Sequence, residues 1–472
     1  MNVSLKTINI FLMFFIALLP LQLTLRLLLN LPLLIYFFLL FAFLYILVFQ
    51  KTSLKYCKIQ KIFFCILFGF FIEMLISVIL NYSLVVPFDI PFEYYVTRYS
   101  KFWDSPYMSS IFAGILRPGI YFLFSVFLIF FFYKNNNYRF LIRILIVIGF
   151  ISSIYSIYQL FAYQFGLPFS SVFSGHNGEI IEMMGVRRCE GIFYEPGPQA
   201  TYLSVIFPLL LCQFFAKSNE KLFNKNFNII MLITVTFTLF ATLSPIGMLT
   251  PFISVPIILW IFRNQLSINT KKKIFLSFCV LCFVFFFVTI YINNNLSFSV
   301  FQYLKNRIMN LGINNTIFLG DDRSVRNEIT VKLIRDYKWF GVGPGNDGFY
   351  YALYAPYAIG RKIDKGIAIN QNLKILSDSG IFGFVFYMLL LVYPFYIYLK
   401  LRLYNYYISY FDSIINALFV AIVLFAILTF NAQVEFFQPL FWIVYSLLLV
   451  VIINKYKFIK ETTKRNAYKE KV

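Results

Sequence analysis

Arginines gather in two polar stretches of an otherwise strongly apolar chain. Arg188 lies in the first stretch, and Arg323, Arg326 and Arg335 lie in the second. A guanidinium group keeps its charge and can donate two parallel hydrogen bonds, so these residues suit the binding of a phosphate group. For the second group, a solvated charged helix face is the alternative interpretation.

The first stretch, Val186–Gln199, leads directly into an apolar run. Glu195 and Pro196 stand near its end and are followed by glycine and a second proline. These residues set a sharp start to a helix, whose first turn presents unpaired N–H groups and the positive end of its dipole. An anion can dock at such a terminus with help from Arg188. Alternatively, Glu195 caps the helix and Arg188 pairs with a neighbouring acid.

The second stretch, residues 293–369, is the longest segment unable to sit in lipid, and it is too long for an idle connector. Apolar residues recur within it at helical spacing, which predicts an amphipathic helix over Arg323–Lys338. The repeat is formed by Val325, Ile329, Leu333 and Tyr337. Glu328 and Lys332 are spaced to pair on this helix.

Gly341, Gly343 and Gly345 follow the predicted helix. Similar glycine spacing occurs in nucleotide-binding loops, but here the glycines come after a helix, enclose Pro344 and face the outside of the cell. We therefore interpret the segment as a tight turn that exposes its backbone.

A polar stripe opens the helix that follows. Gln371, Lys374 and Asp378 fall at i, i+3 and i+7, and Lys374 and Asp378 are spaced to pair. Gly380 and Gly383 allow this helix to pack closely against a neighbour. The sequence therefore predicts a polar mouth on an otherwise apolar helix.

One carboxylate, Glu73, lies in the middle of an apolar run. A charge facing lipid costs a few kcal/mol, so we expect Glu73 to face the interior of a helix bundle. It either makes a structural hydrogen bond or contacts a substrate or a proton.

The composition defines the class of protein. Of 472 residues, 60% are hydrophobic, 21% aromatic and only 13% charged, which predicts an all-α polytopic membrane protein. About twelve runs have the length of roughly 17–25 residues that a spanning helix needs. They lie near 8–25, 31–49, 62–80, 110–132, 140–163, 199–216, 228–243, 247–262, 274–292, 377–399, 413–431 and 437–453.

The net charge of +21 could indicate nucleic acid as a partner, but the position of the cations excludes it. Lysine and arginine concentrate in alternate short loops and in the tail 455–472, and such loops stay in the cytoplasm. We therefore predict that both termini are cytoplasmic. Acids and cations mix in three external loops, 81–109, 164–198 and 293–369.

Cysteine and histidine usage argues against a disulfide framework and a zinc site. Of the six cysteines, only Cys189 is predicted to be outside, and His176 is the one histidine. A multi-histidine metal site is thereby excluded, and no Asp-x-Asp sequence implies a divalent metal. We expect no metal and no cofactor.

Three patches resemble the O-antigen polymerase (Wzy-like) and O-antigen ligase superfamily. The first begins at Arg188 and runs through Gly191 to Glu195-Pro196-Gly197, and the second joins Arg326 to Gly341-Val342-Gly343 fifteen residues on. The third comprises Gln371-Asn372-Leu373 and Gly380-Ile381-Phe382-Gly383. The resemblance implies a GT-C-like bacterial inner-membrane enzyme with a large periplasmic loop between helices 9 and 10.

The same resemblance implies metal-independent glycosyl transfer from an undecaprenyl-pyrophosphate-linked donor. Arg188, Arg323, Arg326 and the weaker candidate Arg335 are then expected to bind the pyrophosphate. Glu195 is the first candidate for the general base and Asp378 the second, because both lie at outer helix mouths. The residues expected at the acceptor side are Gln371, Asn372 and Lys374.

The resemblance leaves the reaction open between two types. Ligases of the superfamily carry a histidine where this chain has Gln371, which favours the polymerase. Expected partners are the lipid-linked oligosaccharide as donor and acceptor, membrane lipids and a chain-length regulator protein, with no nucleic acid. A flippase or other transporter is the alternative from another class, although such proteins show repeated halves that this sequence lacks. A purely structural scaffold leaves the arginines unexplained.

These predictions divide the chain into four parts. Residues 1–292 form helices 1–9, with a functional external loop at 164–198, and residues 293–369 form the large periplasmic loop. Residues 370–454 form helices 10–12, and residues 455–472 are a basic cytoplasmic tail.

Overall fold

The computed structural model describes about half of the chain. Apart from a few isolated positions, the described residues are 58–81, 125–129, 138–168, 181–183, 186–193, 195–216, 221–263, 322–344, 370–404, 412–428 and 439–469. The predicted runs 8–25, 31–49, 110–132 and 274–292 lie wholly or largely outside them. So do the loop 81–109, most of the loop 293–369, His176 and Gly345.

Helices make up nearly all the regular structure of the described residues. They are α1 (Lys58–Asn81), α2 (Tyr138–Phe165), α3 (Pro196–Cys212), α4 (Lys225–Ala241), α5 (Pro245–Ile261), α6 (Asp322–Asp336), α7 (Gln371–Tyr404), α8 (Asp412–Leu428) and α9 (Pro439–Lys469). The exception is a short antiparallel ribbon of β1 (Ile181–Met183) and β2 (Val186–Arg188), in which Ile181 pairs with Arg188. The ribbon lies in a segment that the sequence indicated only as a loop.

Four of the described helical segments are long and apolar enough to cross a membrane: 58–80, 138–162, 196–215 and 371–402. Shorter apolar helices cover 225–241, 245–261, 413–427 and 440–456. These segments coincide with eight of the predicted runs, and they make the chain a membrane-embedded α-helical protein. The total of twelve spans stays a prediction.

The chain divides into two compact units. The first comprises residues 1–38, 132–312 and 405–424, and the second comprises 39–131, 313–404 and 425–472.

In the first unit, α3 is the central helix. It is apolar on all sides, and most of its residues are buried, as expected of a helix surrounded by neighbours. Its neighbours include α2, α4 and α5. The hydroxyl of Tyr202 on α3 donates to the carbonyl of Leu145 on α2 over 3.0 Å. The turn at Leu243, with φ 46°, separates α4 from α5, so the two short runs predicted on either side of Ser244 are distinct helices.

In the second unit, α1 and α6 both pack against α7. A Cβ atom at Gly69 of α1 would lie 2.5 Å from the ring of Phe386, so glycine permits the close approach of α1 and α7. The helix α7 is broken at Gly380, where φ is 63° and ψ is −163°. This break determines the geometry of the polar mouth described below.

Candidate functional site

The described residues form two polar clusters, one in each unit. The first-unit cluster consists of Ser152, Ser156, Gln159, Arg188, Cys189, Glu190, Gly191 and Gln199. The second-unit cluster consists of Glu73, Ser77, Gly341, Val342, Gly343, Gln371, Asn372, Lys374, Asp378, Gly380 and Gly383. They are taken in that order.

Arg188 is anchored at the C-terminal end of α4. Its Nε atom donates to the carbonyl oxygen of Thr242 over 2.9 Å, and the N–H of Cys189 donates to Ala241 over 3.2 Å. The last carbonyls of a helix lack intrahelical donors and form its negative end, so a cation is well placed there. Arg188 is half-buried. Its backbone and its Nε are therefore fixed relative to α4.

Gly191 continues this loop in a left-handed conformation, with φ +60°. Its N–H donates to Oε1 of Gln159 over 2.9 Å, and its carbonyl accepts from Nε2 of the same side chain over 3.1 Å. A Cβ atom here would lie 2.5 Å from Nε2 of Gln199 and closer still to Oγ of Ser152. Only glycine fits this position without displacing its neighbours.

The helix α3 starts as predicted. Glu195 is its N-cap residue with extended backbone, φ −146° and ψ 154°, and Pro196 occupies the first turn. The Glu195 side chain is exposed and makes no capping hydrogen bond, so the alternative in which it caps the helix is wrong. Its carboxylate lies at the start of α3, as the base assignment requires.

Gln199 points inward from the first turns of α3. Its Nε2 atom donates to Oγ of Ser156, and its side chain is fully buried. Among the described residues its Oε1 atom has no hydrogen-bond partner. A buried acceptor left in this way is costly unless a ligand or water uses it.

Cys189 is the cysteine predicted to lie outside, and it is buried. Burial raises the pKa of its thiol to about 12, although a hydrogen bond with Ser156 and the charge of Arg188 act in the opposite direction. The thiol is therefore neutral at physiological pH and is not a nucleophile.

Sequence reasoning missed Gln159 and the buried Glu190 in this cluster. Gln159 lies in an apolar run, where it was treated as part of a spanning segment. The available signal was its spacing: Ser152, Ser156 and Gln159 fall at i, i+4 and i+7, a polar stripe on an apolar helix.

In the second unit, the Gly380 break joins α7 to the end of α6. In an unbroken helix the carbonyls of Ser377 and Asp378 would accept from the N–H groups four residues on. Here they accept from Val342 and Gly343 over 2.8 and 2.9 Å. The N–H groups of Ile381 and Phe382 donate instead to the carbonyls of Lys338 and Trp339 over 2.8 and 3.4 Å. All four bonds join residues 338–343 to residues 377–382 of α7.

The glycine turn is tight, as predicted, with φ 68° at Gly341 and 90° at Gly343. It does not expose its backbone, however. Val342 is fully buried, and its N–H and that of Gly343 are used by α7. A Cβ atom at Gly341 would lie 2.5 Å from the backbone of Asp378. The prediction of an exposed backbone was wrong because the turn docks against the helix that follows it.

The predicted pair on the α7 stripe is present. Nζ of Lys374 lies 2.7 Å from Oδ1 of Asp378, and both side chains are buried. The hydroxyl of Ser77 on α1 lies 2.8 Å from the carbonyl of Asp378 and 2.5 Å from that of Phe340, and it can donate to either. Lys374 thus neutralises the carboxylate, while Ser77 and the N–H of Gly343 both contact the backbone carbonyl of Asp378.

The amides at the start of α7 are buried without partners. Gln371 is fully buried, and within the described part of the chain neither Oε1 nor Nε2 makes a hydrogen bond. Nδ2 of Asn372 is also buried and has no hydrogen-bond partner in the described part of the chain. Asn370 caps the helix, since its Oδ1 atom accepts from the N–H of Asn372 over 2.9 Å. Amide groups in this state are suited to the hydroxyl groups of a ligand.

Glu73 faces the interior, as predicted. Only 4% of its surface is exposed, and a Cβ atom at Gly383 would collide with its Oε2. Neither carboxylate oxygen has a hydrogen-bond partner in the described residues. The structural hydrogen bond, one of the two interpretations of Glu73, is therefore not found there.

The amphipathic helix is also confirmed. Ile329 and Leu333 of α6 are buried, whereas Glu328 and Lys332 form an exposed ion pair of 2.9 Å. Arg335 is exposed near the end of the helix. Arg323 and Arg326 occupy the first two turns, and their side chains lie outside the described part of the structure. No group of three or more His, Cys, Asp or Glu side chains among the described residues could hold a metal ion.

Comparison with known families finds a match over part of the chain. Residues 230–388 match the sequence model of a family described as O-Antigen ligase. The match covers about a third of the chain, and it supports the resemblance to the O-antigen polymerase and ligase superfamily. No curated protein sequence matches it. Members of the superfamily carry out ligase-type or polymerase-type glycosyl transfer on lipid-linked oligosaccharide.

The matched range includes the whole glycine turn and the α7 stripe from Gln371 to Asp378. Arg323, Arg326 and Arg335 also lie inside it, and Arg188 and Glu195 precede it. The roles of these residues in the reaction are therefore a proposal.

Proposed function

We propose that this protein polymerises undecaprenyl-pyrophosphate-linked repeat units into O-antigen, capsular or related surface polysaccharide. The reaction takes place at the outer face of the bacterial inner membrane, with both protein termini in the cytoplasm. The observation that carries the choice of polymerase is Gln371, a fully buried amide with both polar atoms unpartnered in the described residues. Ligases of the superfamily are expected to have histidine there.

The donor sugar is already activated by its pyrophosphate. The acceptor hydroxyl oxygen attacks the anomeric carbon, the bond from that carbon to the phosphate oxygen breaks, and undecaprenyl pyrophosphate leaves with the electron pair. The hydroxyl proton passes to a carboxylate of the protein. The protein must therefore bind the leaving phosphates, position the acceptor and accept one proton.

Arg188 and the start of α3 supply the pyrophosphate contact. Arg188 is fixed by Thr242 and by the C-terminal end of α4, so its position is set before the donor binds. Pre-positioned charge stabilises a leaving group better than charge that must reorganise. Arg323, Arg326 and Arg335 of α6 are further candidates for phosphate binding, and Arg335 is the weakest.

Glu195 remains the first candidate for the base. It is exposed at the start of α3 and is not consumed by capping. Asp378 is the second candidate, and its ion pair with Lys374 makes it a poorer proton acceptor because the cation favours the carboxylate form. Gln371, Asn372 and Lys374 then contact the acceptor sugar, whose hydroxyl groups match amide donors and acceptors.

A deletion in the native host tests this function. We expect single repeat units to persist on the surface glycan while the long-chain ladder disappears from a separating gel. Loss of all repeat units from the surface would contradict polymerisation. Lipid-linked units stranded on the outer face would then indicate a ligase, and units stranded on the inner face would indicate a flippase.

Ligase activity is the second candidate function, because the family that matches residues 230–388 is described as O-Antigen ligase. Replacing Gln371 by histidine separates the two functions in the reconstituted protein. A ligase that had lost its histidine would regain transfer to the lipid core, whereas a polymerase gains no such transfer.

A further inference from the structure

We propose that Gln159 is a positioning residue for the pyrophosphate-binding loop, residues 188–193, and acts through Gly191 on Arg188. The inference rests on the proposed role of Arg188 and extends it to a residue of a membrane-spanning helix. Gln159 does not contact the substrate in this proposal.

The amide of Gln159 holds Gly191 at two points. Oε1 accepts from the N–H of Gly191 over 2.9 Å, and Nε2 donates to its carbonyl over 3.1 Å. The same Oε1 lies 3.4 Å from the N–H of Glu190. Two bonds from one planar group fix both the position and the orientation of a peptide, as a neighbouring strand would. The side chain itself is buried, with 2% of its surface exposed.

Gln159 belongs to a polar stripe of α2 that serves this loop and the start of α3. Ser152 and Ser156 lie on the same face of α2 and are fully buried. Oγ of Ser152 accepts from the N–H of Ile192 over 3.3 Å, and Ser156 accepts from Gln199. Polar side chains within a spanning helix are expensive unless they satisfy other polar groups. Here they satisfy loop N–H groups that lipid could not.

The stripe also sets the depth of the loop. Ser152 and Gln159 precede the end of α2 at Phe165 by thirteen and six residues. At 1.5 Å per residue, the loop contacts α2 roughly 10–20 Å below that end. Phe161 and Phe165 expose apolar rings along this upper part of α2. The loop that carries Arg188 therefore contacts α2 below the end of that helix.

Arg188 is thus fixed from two directions. Its Nε and the N–H of Cys189 are held by the end of α4, and Gly191 is held by Gln159. If the bonds to Gln159 are lost, Arg188 keeps its bond to Thr242, but the loop that leads from Arg188 to the start of α3 loses its hold on α2 and can shift. Displacement of a binding group by about 1 Å can cost on the order of 100-fold in rate.

The experiment uses the full-length protein in lipid nanodiscs with purified lipid-linked repeat units. Gln159→Leu removes both bonds, and Gln159→Glu keeps the acceptor but loses the donor. Gln213→Leu is the matched control, since Gln213 is a buried glutamine at the opposite end of α3 whose Oε1 accepts from Leu222 over 2.9 Å. Initial rates give KM and kcat, and binding of purified undecaprenyl pyrophosphate gives Kd.

We expect Gln159→Leu to raise KM for the donor and Kd for undecaprenyl pyrophosphate by about tenfold or more. Gln159→Glu should fall between it and the unmodified protein, and Gln213→Leu should match the unmodified protein in both constants. Equal changes in the Gln159→Leu and Gln213→Leu proteins, or unchanged KM and Kd in Gln159→Leu, would overturn the proposal. Failure of both Gln159 variants to accumulate while Gln213→Leu accumulates would also overturn it, in favour of a role in folding.

Arg188→Ala, measured in parallel, distinguishes an error in the pyrophosphate site from an error in the positioning role of Gln159. If Arg188→Ala binds undecaprenyl pyrophosphate normally, the pyrophosphate site itself is misassigned. If Arg188→Ala loses binding while Gln159→Leu keeps it, only the positioning role of Gln159 is refuted.

Discussion

The backbone N–H of Val342 donates to the carbonyl oxygen of Ser377 over 2.8 Å. This bond and its three companions replace the helical bonds that α7 loses at Gly380. The segment that follows α6 thereby completes the hydrogen bonding of α7. A polar backbone in lipid must be satisfied in some way, so the glycine turn and the broken helix depend on each other.

Gly380 at this junction can be tested against Gly166, a glycine with the same φ. Gly380 and Gly166 share a φ of 63°, but a Cβ atom at Gly380 would collide with the backbone of Trp339, whereas nothing lies within 4 Å of one at Gly166. Gly166→Ala should cost about 1–2 kcal/mol for its left-handed conformation. Gly380→Ala should cost about 1–3 kcal/mol more from overpacking. Thermal unfolding in detergent measures both, and equal losses would contradict the docking of the turn.

The buried pair Lys374–Asp378 on α7 should affect stability mainly because each charge offsets the cost of burying the other. Lys374→Met leaves the buried carboxylate of Asp378 without its cation and should destabilise the protein by about 3–5 kcal/mol. Adding Asp378→Leu should recover much of that loss. The exposed pair Glu328–Lys332 is the control, since breaking it should cost only about 0.3–0.5 kcal/mol. A double-mutant cycle in chemical denaturation tests this, and similar costs for the two pairs would refute it.

Stability and activity should separate at Gln371. Removal of a buried amide that lacks partners relieves a penalty of about 1–3 kcal/mol, so Gln371→Leu should keep or raise the unfolding temperature. The same change removes the groups proposed to bind the acceptor, and it should abolish polymer formation. A stable and fully active Gln371→Leu protein would exclude Gln371 from the site.

Arg188 should not tolerate lysine. Lysine keeps the charge but cannot reproduce the planar guanidinium that donates to Thr242 while it binds phosphate. We expect both Arg188→Ala and Arg188→Lys to shorten or remove the polymer ladder at normal protein levels, with a smaller effect for Arg335→Ala at an exposed position. Unchanged ladders for both Arg188 variants would refute its proposed role.

Cys189 should resist alkylation in the folded protein. Its thiol is buried and its pKa is raised to about 12, so the thiolate is scarce up to about pH 10. A raised pKa stabilises the fold below the ordinary value near 9, and this contribution is lost as the pH approaches 12. In a variant that retains only Cys189, a maleimide should react quickly after denaturation in SDS and slowly before. Rapid labelling at pH 8 without denaturant would contradict this burial.

Features set by local geometry were predictable from the sequence. The pairs Lys374–Asp378 and Glu328–Lys332 follow from helical spacing alone, and the start of α3 follows from Pro196. The inward position of Glu73 follows from the cost of a charge in lipid. Each of these depends on a few adjacent residues and on one physical rule.

Features that join distant segments were not predictable in this way. Nothing in the glycine turn indicates that its N–H groups bind Ser377 and Asp378. The carbonyls of these two residues accept from the turn because α7 is broken at Gly380, and the sequence does not show that break. Gln159 was hidden for a similar reason. A glutamine in an apolar run becomes informative only when Gly191, more than thirty residues on, is placed beside it.

The junction at Gly380 also limits how this protein can exchange parts with its relatives. A chimera that takes the segment before α7 from a similar protein and ends at Asn370 would separate the donors at Val342 and Gly343 from their acceptors on α7. The smallest segment that carries both halves of the junction runs from residue 338 to residue 382. In a functional recombinant, the donor segment and the acceptor segment should therefore come from the same parent protein.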